Sequence, residues 1–156
     1  MKPVLVVGIG NILLRDEGVG VYVVGEMAKR ELPENIELLD GGTSGVDLIE
    51  HLAHRPKVIV VDSVKMEDVT PGTVYRFSMD ELVRQRTDSL SLHELGILES
   101  LHMAYQLGCG PGEVVLFGIV PKTLRPPAME LSPELLAIMP KVIDLVLEEA
   151  GKYVKA

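Results

Sequence analysis

The chain has 156 residues, 47% of them hydrophobic and 24% charged, with a formal net charge of −8. One domain of this size buries about 68–70% of its unfolded surface and holds its core without metal or disulfide, and so apolar a composition excludes a disordered chain. The acidic balance excludes the basic footprint that nucleic-acid backbones require and argues against a membrane-surface protein.

In chain order, Met1-Lys2-Pro3 precedes an apolar run too short for a signal-peptide core or a membrane span, so a cytoplasmic protein is expected. Val4-Leu5-Val6-Val7, ended by Gly8, reads as a buried parallel strand. Residues 18–32 follow with apolar positions at helical spacing, stopped by Pro33. Ile36-Glu37-Leu38-Leu39 is a second strand, ended by Asp40-Gly41-Gly42, and 46–54 a short helix with Ser44 as its cap. Val58-Ile59-Val60-Val61, ended by Asp62, is the clearest strand.

Pro71-Gly72 is a turn signal, and the β-rich stretch Thr73–Phe77 behind it reads as an extra, antiparallel strand. Residues 78–86 form a short polar helix. Ser91 and Glu94 have the spacing of a capping box, opening a helix to about Leu107. Val114–Ile119 is a further strand and 121–127 an irregular loop. Ser132-Pro133 is an N-cap followed by proline at the first helical position; the helix it opens ends near Gly151, and Pro140 should kink or split it. Without an internal repeat or linker, 1–156 reads as a single α/β domain. It should have three αβα layers around an open, mostly parallel five-stranded sheet with one antiparallel strand.

Ligands of such sheets bind beyond the C-terminal ends of the strands, near the switch in strand order. The residues there are Asp16 and Glu17 after the first strand, Asp40 after the second, Asp62 after the third, and His93 in the first turn of a later helix. Carboxylates plus an imidazole suit a borderline divalent metal such as zinc, nickel, cobalt or iron. Asp16 reads as a cap of the helix it precedes. Asp40 reads equally as a turn residue and as chemistry. Asp62 ends the most hydrophobic strand, where an unpaired carboxylate is costly, and reads as functional. Glu17 is long for a cap. The helix dipole at position 93 favours the neutral imidazole that a metal needs, the alternative being a surface histidine.

Other motifs carry less. His51 and His54 fit the end of a short helix, His102 lies inside a helix, and Cys109 has no neighbouring base to activate it. Position 97 is Ile, so the His-Glu-x-x-His zinc motif is absent. Gly8-Ile9-Gly10 resembles the start of a dinucleotide fingerprint, but the third glycine position holds Leu13. A phosphoacceptor receiver domain, with Asp16-Glu17, Asp62 and Lys122 as its site, fits the topology but gives His93 no role.

The segment Gly8-Ile9-Gly10-Asn11-Ile12-Leu13-Leu14-Arg15-Asp16-Glu17-Gly18-Val19-Gly20 resembles the N-terminal signature of the [NiFe]-hydrogenase maturation endopeptidases. Asp40-Gly41-Gly42-Thr43, Val61-Asp62, His93-Glu94-Leu95-Gly96 and Gly118-Ile119-Val120-Pro121 continue the likeness in order. The resemblance implies a protease, of aspartyl or metallo type, that removes the C-terminal extension of a hydrogenase large-subunit precursor after nickel insertion. It implies that Glu17, Asp62 and His93 bind a cation, that Asp40 and the loop behind it handle substrate, and that the nickel belongs to the substrate and serves as its recognition element. A divalent cation could enter the same site adventitiously. A nickel-sensing chaperone that binds the large subunit without cutting it is the non-catalytic alternative.

Overall fold

The structure is a computed structural model describing residues 1–42, 48–84, 92–122 and 126–154, with the side chains of 82–84 and 92–95 outside the description. Its strands are β1 (Val4–Ile9), β2 (Ile36–Gly42), β3 (Lys57–Ser63), β4 (Val74–Ser78) and β5 (Glu113–Ile119). Its helices are α1 (Val19–Met27), α2 (Ile49–Leu52), α3 (Met79–Arg84), α4 (Leu92–Gln106) and α5 (Pro133–Gly151), and a single 3-10 turn, Arg15–Gly18, leads into α1. The sheet order is β2-β1-β3-β5-β4. Neighbours are parallel except β4, which runs antiparallel to β5 as its turn signal predicts.

The apolar runs of β1, β3 and β5 are long and unbroken because these strands are covered on both faces. Side chains alternate across a strand, so Val4, Val6, Ile59, Val61, Val115 and Phe117 meet α1 and α5. Leu5, Val7, Val58, Val60, Val114 and Leu116 meet Leu52 of α2 and Ile97 and Leu101 of α4 on the other face. Helix α1 lies unusually close to the sheet. A Cβ on Gly20 would collide with the carbonyl oxygens of Val61 and Ile9, and one on Gly8 with that of Gly20. The Gly8-Ile9-Gly10 segment therefore serves backbone-to-backbone packing here, and the dinucleotide resemblance is corrected on that ground.

Several predicted boundaries move. β1, β2 and β3 run past their apolar stretches to Ile9, Gly42 and Ser63, because ladder hydrogen bonds belong to the backbone and continue under polar side chains. Asp40-Gly41-Gly42 is thus the end of β2 itself, with a register irregularity opposite Gly8 and Ile9. Helix α1 stops at Met27, where Lys29, Arg30 and Glu31 are exposed and gain no packing. Of the helix expected over 46–54, α2 occupies Ile49–Leu52 and stops before Ala53; residues 46 and 47 and the proposed cap Ser44 lie outside the described residues, as does Ser91 of the capping box. Helix α5 remains one element across Pro140; that proline is exposed, so water can serve the carbonyl that lacks its helical donor. Ser132 caps it as predicted, its Oγ accepting from the Leu135 N–H at 3.4 Å.

The N-terminal edge of the sheet is closed by buried charge. Lys57 Nζ lies 2.7 Å from Glu149 Oε2, and Arg76 Nε donates to Glu149 Oε1 at 2.7 Å, with Lys57 and Glu149 each 2% exposed. Nearby, buried Arg55 grips Glu37 through both terminal nitrogens and donates to the carbonyls of Lys2 and His51. His51 thereby lies in the last turn of α2, and His54 forms the turn behind it at φ +58°.

Hydrogen bonds from Arg76, then Lys57 and Lys152, pull the Glu149 carboxyl from 4.5 to about 2 against the opposing effect of burial. Its folded pKa lies below the unfolded one, so its stabilisation is complete above pH 4.5 and is lost as pH falls toward 2. Glu149→Gln should cost about 1–3 kcal/mol at pH 7, because the buried Lys57 loses its buried partner and keeps only the exposed Glu113, while Arg76 remains solvated. It should also flatten the loss of stability between pH 4.5 and 2, which urea unfolding at a series of pH values measures.

Candidate active site at the C-terminal edge of the sheet

The connection from β1 runs to β2 on one side and the connection from β2 crosses back to β3 on the other, so the switch in strand order lies between β1 and β3. Two of the predicted residues flank it. Glu17 sits in the 3-10 turn that follows β1 and packs against β3, and Asp62 is the penultimate residue of β3. Gly10 makes the first placement feasible: its φ is +141°, and a Cβ there would collide with the carbonyl oxygen of Glu17. The Glu17 N–H donates to Leu14 O at 3.1 Å, closing the turn, and its side chain is half-buried.

Asp62 is fully buried, and its Oδ1 accepts from the Ser63 N–H at 2.7 Å. Strand alternation puts it on the face of Val58 and Val60, the face that α4 covers. The exit of α4 lies at the opposite edge of the sheet, where Cys109 O accepts from His54 N at 2.8 Å. Its fifteen residues span about 22 Å, so the helix begins toward the edge that carries Asp62. His93 is the second residue of that helix; its side chain lies outside the described residues. Among the described residues no three His, Cys, Asp or Glu side chains form a metal-holding group.

Asp40 is exposed on the same edge, opposite Gly8 in the β1–β2 register. Its Oδ1 accepts from the Gly42 N–H at 2.9 Å, and Gly42 takes φ +51°. The turn role is therefore filled, while the exposure leaves the carboxylate accessible to a ligand. Thr43, next in the loop, is outside the described residues.

Asp16 departs from its reading as a helix cap. Instead the fully buried carboxylate reaches across the fold: Oδ1 accepts from Ser132 N at 2.7 Å, and Oδ2 accepts from Ser132 Oγ and from Lys122 N, each at 2.8 Å. The partners are over a hundred positions away in the chain, so no local spacing could have revealed them; the only sequence signal was the Ser132-Pro133 cap. Lys122, whose ammonium a receiver domain would need beside Asp62, pairs with Glu134 of α5 at 2.6 Å. With Asp16 committed to Ser132 as well, one carboxylate and the lysine of a phosphoacceptor site are engaged in other contacts.

Comparison with known proteins gives one consistent family. A family model of hydrogenase maturation proteases, HycI, matches residues 21–149, a span that contains Asp40, Asp62 and His93 and begins after Glu17. The hydrogenase 2 maturation protease of Escherichia coli K12 is 34% identical over 145 residues, covering 92% of this chain and 88% of its own. The solved structure of the hydrogenase maturating endopeptidase HybD from Escherichia coli superposes with a TM-score of 0.87 at 34% identity, over 97% of this chain and 94% of that one. The [NiFe] hydrogenase maturation protease HybD from Thermococcus kodakarensis gives 0.80 at 26% identity, over 96% and 99%.

Gly10→Ala tests how Glu17 is placed. A methyl group there meets a backbone carbonyl in a conformation that L residues avoid, so the variant should lose on the order of 2–3 kcal/mol of stability. A loss in urea unfolding of less than a tenth of that free energy would show that the turn accommodates the side chain freely.

Proposed function

The chain belongs to the hydrogenase maturation protease family and is an endopeptidase, and from that premise we propose that it removes the C-terminal extension of a [NiFe]-hydrogenase large-subunit precursor in the cytoplasm once nickel has been inserted. Among the described residues no helix is long and apolar enough to cross a membrane. The observation that carries the reading is the meeting of the Glu17 turn with the Asp62 end of β3 at the switch point of the sheet.

The nickel is part of the substrate. Glu17, Asp62 and His93 cap its exposed side and so bring the precursor to this edge. Carboxylates brought to about 4 Å of each other repel by about 4 kcal/mol at an effective dielectric of 20, and a divalent cation between them reverses that sign. His93 adds a nitrogen donor from α4, one helical turn ahead of the buried Ile97. A three-donor set leaves room for the ligands the ion already holds in the precursor. Pinning the metal places the scissile bond beside the edge, which replaces a bimolecular encounter with an effectively unimolecular one.

Water attack then needs a base and a polarised carbonyl. Asp40 supports the role of base, because it is exposed on the adjacent strand and reaches a docked peptide without disturbing the buried Asp62. Polarisation by the substrate's own metal is the other source of activation.

Mass spectrometry of the large subunit's C-terminus, with nickel-loaded precursor and purified protein, reads the reaction directly. The extension should be lost with the wild type and retained with Glu17→Gln. An intact extension with the wild type would mark a non-cutting chaperone, and full cleavage by Glu17→Gln would remove Glu17 from the site. His93→Ala should weaken binding of nickel-loaded precursor at least tenfold more than binding of nickel-free precursor; equal losses would make the histidine structural.

A further inference from the structure

The segment that carries Glu17 is fastened, residue by residue, to the loop that follows β5. Arg15 takes the left-handed conformation, φ +51°, which costs a non-glycine residue energy and is held only where the surroundings enforce it. Its N–H donates to Ala128 O at 3.0 Å, its Nε to Pro126 O at 2.7 Å, and its Nη1 pairs with Glu130 at 2.8 Å. Leu14 forms an isolated parallel bridge with Ala128. Asp16, fully buried, receives Lys122 N, Ser132 N and Ser132 Oγ. One short stretch, 14–16, thus binds Lys122 behind β5, the backbone of Pro126 and Ala128, and Ser132, the N-cap of the last helix.

We propose that Asp16 is a positioning residue: by anchoring the 3-10 turn to Ser132 and to the backbone of Lys122, it fixes Glu17 against the end of β3 for recognition of the substrate's metal. This rests on the reading of Glu17 given above. The geometry favours a positioning role over a catalytic one, because both oxygens of Asp16 are already engaged inside the fold. It also favours it over a purely stabilising one, because Asp16 immediately precedes Glu17 in the turn that packs against β3. A carboxylate is required there. All three donors point at it, and an amide of the same shape would present an N–H to at least one of them. Ser132 has a double part, since its hydroxyl donates to Asp16 while accepting from the first turn of α5.

The test compares three variants, with native far-UV circular dichroism checked for each, by the ratio of affinities for nickel-loaded and nickel-free large-subunit precursor. A residue that only stabilises the fold lowers the unfolding midpoint and leaves this ratio alone, and Glu149→Gln, at the opposite edge, supplies that control. Asp16→Asn and Glu17→Gln should each lower the ratio at least tenfold, with Glu149→Gln within twofold of the wild type. A folded Asp16→Asn that keeps the ratio within twofold, while Glu17→Gln loses it, overturns the positioning role and leaves the function intact. A Glu17→Gln variant that keeps the ratio overturns the reading of Glu17 and this inference with it. Should Asp16→Asn fail to fold, Ser132→Ala and Ser132→Thr decide: the ratio should fall in the first and return with the hydroxyl in the second, and equal ratios overturn the proposal.

Discussion

A buried carboxylate with fixed acceptor geometry organises the C-terminal edge of this molecule. Asp16 is removed from water altogether, which is tolerable only because three donors replace its hydration. Those donors come from two places, the backbone after β5 and the N-cap of α5, so the interaction joins the beginning of the chain to its last third. The placement proposed for Glu17 depends on that junction.

The two edges of the sheet carry charge differently. At the N-terminal edge, Lys57, Arg76 and Glu149 satisfy one another, and their strong hydrogen bonds hold the glutamate ionised down to about pH 2. At the C-terminal edge, Glu17 and Asp40 come from the ends of separate elements beside the buried Asp62, and Lys122 pairs with Glu134 of α5. The glycines bring these elements together. Gly8 and Gly20 let α1 rest on the strands, and Gly10 admits the Glu17 carbonyl, so the acidic turn sits directly on the sheet with no layer of side chains between them.

Much of the fold was legible because buried parallel strands leave a coarse signature. Val4–Val7, Val58–Val61 and Val114–Ile119 are apolar on both faces, and the Pro71-Gly72 turn announced the antiparallel β4. The rule that ligands gather at strand C-termini then led from those runs to Glu17, Asp40 and Asp62, and the sequence motifs around them carried the family resemblance that the comparisons bear out. The errors fell where backbone and side chain diverge. Strands continued under Asp40, Asp62 and Ser63 because ladder bonds ignore side-chain polarity, and α1 ended early because helical spacing without packing does not hold a helix together.

Alone, the sequence determined the layered α/β architecture, the position of Glu17, Asp40 and Asp62 at the ends of strands or just behind them, and the family, since each is written in local composition, spacing or motif. Only the tertiary structure decided that Asp16 is a tie to Ser132 instead of a cap, that Lys122 belongs to Glu134, and that Lys57 and Arg76 meet on the buried Glu149. The physical reason is common to all three. Hydrophobic periodicity reports which face of an element is covered, whereas the partner of a polar group is chosen by where distant segments come to lie once the core has closed.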